Sequence, residues 1–165
     1  MRSFTDNEIE DYLKKHFPHR LTLLRTLSNR NRHGWRNEGD IYRCVKDSCL
    51  MAIRFWINFL GFKINREGSL VLIDQQNTKP DDVSIYSFTN QWVPMTDPLI
   101  SENKILLERV YKRGDKEIAH FTTNDDGEYN TEEKLIEATK VVEELISERL
   151  YKPLGKSIPR HDECC

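Results

Sequence analysis

The sequence contains no run of apolar residues long enough to cross a membrane. Its longest apolar stretch, residues 49–62, is interrupted by Arg54 and Asn58 and falls short of the roughly 20 residues that a bilayer crossing requires. The N-terminus turns acidic at once and lacks the apolar region of a secretory signal. These absences predict a soluble, cytoplasmic protein.

Cysteine is scarce, and its positions argue against a disulfide framework. The chain has four cysteines: Cys44 and Cys49 fall within an apolar helical pattern, and Cys164 and Cys165 are adjacent at the end. All four are predicted to be free thiols, with Cys44 and Cys49 as buried packing residues. No group of residues has convincing metal-ligand spacing, so neither a metal nor a cofactor is predicted.

The patterns of several large enzyme classes are also missing. There is no glycine-rich phosphate loop, no dinucleotide-binding fingerprint and no nucleophile elbow. What the chain does have is 165 residues, of which 38% are apolar and 32% charged, enough to bury one core without disulfides or metals. We therefore predict a single domain over residues 1–155 and a flexible C-terminal tail over residues 156–165.

The charge is divided unevenly along the chain, although the net charge is only -2. Residues 12–66 hold twelve Lys or Arg and three Asp or Glu, whereas residues 67–165 hold twelve and twenty. A basic surface attracts phosphate backbones. Helices of opposite charge also pack against each other within one molecule, so both interpretations stay open.

Helix-start and helix-stop signals predict an all-α fold. Thr5 and Glu8 form a capping box, Asp97 precedes Pro98, and Asn130 or Thr131 caps the last helix. The predicted helices run to about His16, from Pro18 to about Ser28, from about Ile41 to Leu60, from Pro98 past Ile118, and from Thr131 to about Lys152. Apolar stripes on these helices predict an antiparallel bundle of four or five helices. A short hairpin or irregular excursion is expected at about residues 63–96, with any strand confined to residues 69–90.

The stretch YKRGDKEIAHF, residues 111–121, is the main indication of chemistry. Seven helical residues advance about 700 degrees, so Arg113 and His120 project from nearly the same side, roughly 10 Å apart. Histidine transfers protons near neutral pH, and arginine holds a phosphate. RNA cleavage by the 2'-hydroxyl needs both groups. Lys116, one turn before His120, is a candidate substrate-binding residue.

This stretch resembles the Arg-x(4 to 6)-His motif of the HEPN superfamily, whose RNase members are all-helical bundles. The segments HRLTLLRTL (19–27) and CLMAIRFWINFLGF (49–62) also follow the helix order of that superfamily, so the similarity covers about residues 16–152. The resemblance implies metal-independent RNA cleavage at a homodimer interface and a toxin or defence role. It also implies association with an antitoxin or a nucleotidyltransferase.

A second interpretation of the same stretch stays open. Gly114 follows the arginine, where active members usually have Asn, Asp or His. His120 then only hydrogen-bonds a helix-end carbonyl, Phe121 fills the core, and Arg113 is an ordinary solvated residue. On this interpretation the chain is a non-catalytic protein-interaction or dimerisation module.

A basic and aromatic cluster in residues 29–40 is the other candidate for substrate binding. Arg30, Arg32 and Arg36 flank Trp35 in a segment rich in Asn and Gly. Cations on phosphates and an indole for base stacking suit single-stranded RNA. The alternative is a loop that Trp35 anchors in the core while its arginines face water.

Overall fold

The computed structural model describes residues 3–28, 39–74, 79, 82–114 and 131–160. Its elements are α1 (Asp6–Asp11), a π-helical segment (Tyr12–His16), α2 (Phe17–Arg25), α3 (Gly39–Phe59), β1 (Phe62–Ile64), β2 (Leu70–Leu72), α4 (Tyr86–Thr89), α5 (Pro98–Arg113), α6 (Glu132–Ile146) and a second π-helical segment (Ser147–Tyr151). This part of the chain is mainly helical, as predicted, with one small two-stranded sheet. None of its helices combines the length and the apolar character that membrane crossing demands.

Three helices begin at the residues that their sequence signals indicate. The Glu8 amide donates to the Thr5 hydroxyl and the Thr5 amide to the Glu8 carboxylate, which completes the capping box. Asp97 accepts from the amide of Leu99 at 3.0 Å, with Pro98 as the first helical residue. Thr131 accepts from the amide of Lys134 at 3.3 Å. The predicted starts of α1, α5 and α6 are therefore confirmed.

The predicted break at Pro18 is wrong, because the chain stays helical from Asp6 to Arg25. Proline lacks an amide hydrogen, and its ring crowds the carbonyl four residues earlier in a regular helix. Here the turn immediately before it is wider than an α-helical turn, since the Phe17 amide donates to the carbonyl of Tyr12. The π-helical segment lets one continuous rod replace the two predicted helices.

The central helix is α3, and it supplies the largest share of the core. Its fully buried side chains include Trp56 and Ile53. Leu21 and Leu24 of α2, and Leu27 in the turn that extends α2, are also fully buried. Burial of such side chains contributes roughly 1.5–3 kcal/mol each. The spacing of the three leucines predicts this common buried face.

Cys49 is buried as predicted, but Cys44 is exposed. Five helical residues advance about 500 degrees, so the two side chains lie about 140 degrees apart around α3. One of them must leave the core when the other enters it. The prediction that Cys44 is a buried packing residue is therefore wrong.

The excursion after α3 is a hairpin followed by a short helix. Gly61 has a φ of 98°, the left-handed conformation that the sequence predicts at the end of α3. Strand β1 then pairs antiparallel with β2, Phe62 opposite Leu72. Because β1 precedes residue 69, the prediction that strands are confined to residues 69–90 is wrong. The apolar run VSIYSF, residues 83–88, contains the start of α4.

Candidate functional site

Arg113 is the one predicted catalytic residue within the described part of the chain. It lies in the last turn of α5, and only 7% of its surface is exposed. The interpretation that Arg113 is an ordinary solvated residue is therefore wrong. Arginine stays charged in proteins at all ordinary pH values, so this position places a positive charge inside the helical core.

The charge of Arg113 acts on the thiol of Cys49. Burial raises the pKa of Cys49 to about 11, although a hydrogen bond with Thr139 and the nearby Arg113 guanidinium act in the opposite direction. The Sγ of Cys49 lies 3.4 Å from the Thr139 hydroxyl. Arg113, Cys49 and Thr139 therefore meet where α3, α5 and α6 join. At neutral pH Cys49 is a protonated thiol and a poor nucleophile.

The backbone remains helical at Gly114. Its φ of -57° and ψ of -38° are right-handed helical values, and its amide donates to the carbonyls of Val110 and Tyr111. A Cβ at this position would lie 3.5 Å from the carbonyl oxygen of Leu50, an ordinary contact. The chain thus does not unwind at its glycine.

The other predicted site residues, Lys116, His120, Arg30, Arg32, Trp35 and Arg36, lie outside the described residues. Their roles stay predictions. What the structure does describe is the position of the residues that flank their segments. Ser28 and Gly39 flank the first segment, and Gly114 and Thr131 flank the second.

Helix directions bring these flanking residues to the same part of the molecule. α6 runs parallel to α3. The Tyr42 hydroxyl donates to Glu132 at 3.1 Å, and seven residues further along both helices Cys49 contacts Thr139. α2 runs antiparallel to α3, because the Cys49 thiol donates to the carbonyl of Leu24 and the Trp56 indole nitrogen to the carbonyl of Arg20. The C-terminus of α2 and the N-termini of α3 and α6 therefore lie together.

α5 is also antiparallel to α3 and reaches only to its middle. The Tyr111 hydroxyl donates to Asn58 at 2.9 Å, while Gly114 lies against Leu50. The first segment and the end of the second therefore lie at the N-terminus of α3, whereas Gly114 lies at the middle of α3, about 16 Å along the helix axis from Gly39. We call this region, bounded by Ser28, Gly39, Gly114 and Thr131, the loop end.

Arg25 is a second buried arginine, but its partners indicate a structural role. Only 6% of it is exposed, and its Nε and Nη2 donate to Glu143 at 2.9 and 2.5 Å. Its Nη1 donates to the carbonyl of Pro159 at 2.7 Å. Arg25 thus ties α2 to α6 and to the beginning of the predicted tail. This pair joins the basic half of the sequence to the acidic half within one molecule.

A cleft of about 410 Å³ that was not predicted lies beside the start of α2. Its walls include Tyr12, Lys15, His16, His19 and Arg20, which recur every three or four residues. That spacing places basic and aromatic side chains on one helix face and was the available signal. Reading a break at Pro18 divided this face between two helices and hid it.

Comparison with known proteins adds no relative. No protein-family model, no curated protein and no solved structure matches the chain. The similarity to the HEPN superfamily therefore depends on the motif and the helix order alone.

Proposed function

We propose that the chain is a HEPN-like antiparallel helical bundle that binds RNA and cleaves it without a metal at the loop end. His120 transfers the proton and Arg113 holds the scissile phosphate. Arg30, Arg32 and Arg36 hold the neighbouring phosphates, and Trp35 and Lys116 complete the substrate-binding surface.

The common position of the flanking helix termini is the observation that supports this proposal most strongly. The segment with the basic and aromatic cluster begins after Ser28 and ends before Gly39. The segment with His120 begins after Gly114 and ends before Thr131. Ser28, Gly39 and Thr131 therefore attach the first segment and the end of the second at one end of α3, and Gly114 lies about 16 Å along α3 from that end.

The chemistry requires one proton acceptor and one cation at the phosphate. His120 takes the proton of the 2'-hydroxyl, the 2'-oxygen attacks phosphorus, and the bond from phosphorus to the 5'-oxygen breaks. The 5'-oxygen receives a proton from water or from His120 of the partner subunit in the proposed homodimer. Arg113 stabilises the charge on the phosphate. The products are a 2',3'-cyclic phosphate and a 5'-hydroxyl.

The test is incubation of the full chain with a structured RNA in the presence of EDTA. A His120→Ala variant is compared with His161→Ala, which removes a histidine from the predicted tail. We expect cleavage by the wild-type chain and by His161→Ala, with cyclic phosphate ends. His120→Ala should be slower by about 100-fold or more, the usual contribution of an acid–base group.

Two results would overturn the cleavage proposal. One is cleavage that His120→Ala does not slow, which would assign the activity to another group or to a contaminant. The other is the absence of cleavage by the wild-type chain on single-stranded, hairpin and duplex RNA alike. Either result would leave the non-catalytic module as the better account.

That second candidate, a module that dimerises without catalysis, is favoured by the burial of Arg113. A guanidinium that is 7% exposed presents little surface to a phosphate. The exposed side chains of Ile41 and Met51 also lie on one face of α3, with Cys44 between them. Cys44 follows Ile41 by three residues, and Met51 follows Cys44 by seven and Ile41 by ten. Such spacings are typical of the face of a helix that packs against another helix. The partner on this face is a second copy of the chain.

Light scattering over a range of protein concentrations tests the dimer. We expect the wild-type chain to be dimeric and Met51→Asp to shift the equilibrium towards monomer by about tenfold, since it places a charge in the apolar contact. Ile105→Asp, at a side chain on α5 that is 60% exposed, is the matched control. A monomeric wild-type chain, or equal effects of the two variants, would contradict dimerisation through this face.

A further inference from the structure

Two clefts adjoin beside the C-terminal half of α3. The first, of about 410 Å³, lies beside the π-helical segment and α2. The second, of about 480 Å³, lies between the end of α3, the hairpin and residues 82–92. Phe55 and Val83 line both clefts. Because they share these two residues, the two clefts form one continuous surface, which we call the groove.

The charged side chains of the groove are mainly cationic. Arg20 is exposed in the first cleft and Lys63 in the second. Lys15 also lines the first cleft, paired with Asp11 on its own helix. Among the lining residues that the structure describes, Asp82 is the one carboxylate, and its Oδ2 accepts from the Lys79 amide at 2.9 Å. A surface with this excess of positive charge attracts a polyanion.

Aromatic rings lie between these cations. The guanidinium carbon of Arg20 is 4.7 Å from the centroid of the Phe55 ring. Tyr12 lines the first cleft, and Trp92 and Tyr111 line the second. Planar rings and guanidinium groups are the platforms on which unpaired bases stack. A duplex keeps its bases stacked inside, so only a single strand can use these platforms.

Two buried polar atoms in the second cleft also call for a ligand with hydrogen-bond acceptors. Ser84 is 7% exposed, and its hydroxyl has no hydrogen-bond partner within the described ranges. The same is true of the indole nitrogen of Trp92, which donates but does not accept. An unsatisfied buried donor costs about 1–3 kcal/mol. Carbonyl oxygens of a base or oxygens of a phosphate would satisfy both donors.

We propose that the groove binds single-stranded RNA, with phosphates on Arg20 and Lys63 and bases on the rings of Phe55 and Trp92. The inference rests on the proposed function only for the choice of RNA as the nucleic acid. It extends that function by adding a strand-binding surface formed by other residues than those of the loop end. Cleavage at the loop end and strand binding in the groove are separate activities and can fail separately.

Fluorescence anisotropy with a labelled single strand of RNA tests whether the groove binds RNA. The strand is about eight nucleotides long, which is within the usual range for single-strand-binding surfaces. The strand carries 2'-O-methyl groups, so it cannot be cut by its own 2'-oxygens. Arg20→Glu and Lys63→Glu are compared with Lys140→Glu, which makes the same type of charge change at an exposed position on α6. Thermal melting checks that the variants fold; the altered side chains are exposed, so we expect unchanged melting temperatures.

We expect each groove variant to raise the Kd about tenfold and Lys140→Glu to change it less than twofold. Each groove variant should also reduce the slope of log K against log salt by about one, because one phosphate contact is lost. If the groove variants behave in this way while the wild-type chain fails to cleave RNA, the proposed enzyme is overturned and the groove stands.

Equal binding by Arg20→Glu, Lys63→Glu and Lys140→Glu would overturn the groove proposal. The groove proposal would also be overturned if an acidic peptide or a duplex RNA displaced the labelled strand as effectively as the unlabelled single strand does. The acidic peptide would mark a protein partner, and the duplex would mark binding to phosphates without base stacking. Preference for the single strand, lost in the groove variants, is the supporting result.

Discussion

The two ends of the molecule differ in the chemistry of their buried side chains. At the groove end, the ring of Phe17 packs against the rings of Trp56, Phe59 and Phe88. The centroid of each of these three rings lies 5.2 Å from the centroid of the Phe17 ring. Towards the loop end, the core contains Cys49, Thr139 and Arg113. Aromatic contacts stabilise a core, whereas buried polar and charged groups cost stability unless they are satisfied.

The aromatic cluster stabilises the groove end, where Ser84 and Ser87 are also buried, whereas the buried charge of Arg113 lies towards the loop end. Proteins tolerate polar groups in a core mainly where those groups have a task. The polar part of this core adjoins the loop end, from which both predicted site segments depart. The aromatic part instead forms a rigid support for the groove on the surface above it.

The largest expected effect is at the aromatic end. Trp56 is fully buried and Phe55, its neighbour in sequence, is half-buried at the groove. Trp56→Ala should lower the free energy of unfolding by about 3–5 kcal/mol, because it removes a large side chain and leaves a cavity. Phe55→Ala is the matched control and should cost less than half as much. Denaturant unfolding measures both, and equal losses would show that the aromatic core does not support this end.

An intermediate effect is expected at the polar end, at alkaline pH. Burial raises the pKa of Cys49 from 9.0 to about 11, so folding favours the neutral thiol. Its contribution is fully present below pH 9 and is lost as the pH rises through 11. The loss amounts to roughly 2–3 kcal/mol, at 1.36 kcal/mol for each pKa unit.

The measurement is the free energy of unfolding between pH 8 and 11 for the wild-type chain and for Cys49→Ala. Lysines and tyrosines also titrate in this range, but both proteins share them. The wild-type curve should fall more steeply than the variant curve. Parallel curves would mean that the thiolate is not disfavoured in the folded state, and the polar end would be more hydrated than its burial indicates.

The smallest effect is expected at Gly114, where α5 reaches the loop end. Gly114→Ala should raise the free energy of unfolding by about 0.5–1 kcal/mol, because alanine favours the helix and its Cβ meets Leu50 at an ordinary distance. Gly155→Ala is the control, since Gly155 has a φ of 67° and alanine is strained there. A loss of stability in Gly114→Ala, measured by thermal melting, would place a bend at this glycine.

Local signals in the sequence were enough to predict much of the fold. The side chains of Thr5, Asp97 and Thr131 accept hydrogen bonds from amides two or three residues further along the chain. Gly61 adopts a left-handed backbone conformation because it has no side chain. None of these depends on distant parts of the chain. The buried leucine face of α2 and of the turn after it could likewise be read from spacing alone.

Features that depend on two elements at once could not be predicted in this way. Pro18 would end an isolated α-helix, but the π-helical segment before it keeps the helix continuous. The strand β1 needs β2 as its partner. The burial of Cys44 was also predicted wrongly, because the pattern of apolar residues in α3 does not show which face of the helix its neighbours cover.

The same limit applies to the candidate site. The motif from Arg113 to His120 is local and could be found in the sequence, but the burial of Arg113 depends on α3 and α6. The groove depends on Arg20 lying over Phe55, 35 residues further along the chain. Its local part, the basic and aromatic face of one helix, was visible only after the helix proved continuous.

Photo-crosslinking to RNA tests the central claim most directly. The full chain is irradiated with a single-stranded RNA that contains 4-thiouridine, and the modified peptides are identified by mass spectrometry. We predict crosslinks in residues 29–38 or 115–130, which the loop end bounds, together with crosslinks at the groove residues Tyr12 and Trp92. Crosslinks confined to the exposed face of α6 around Lys140, or none at all, would contradict an RNA-binding function.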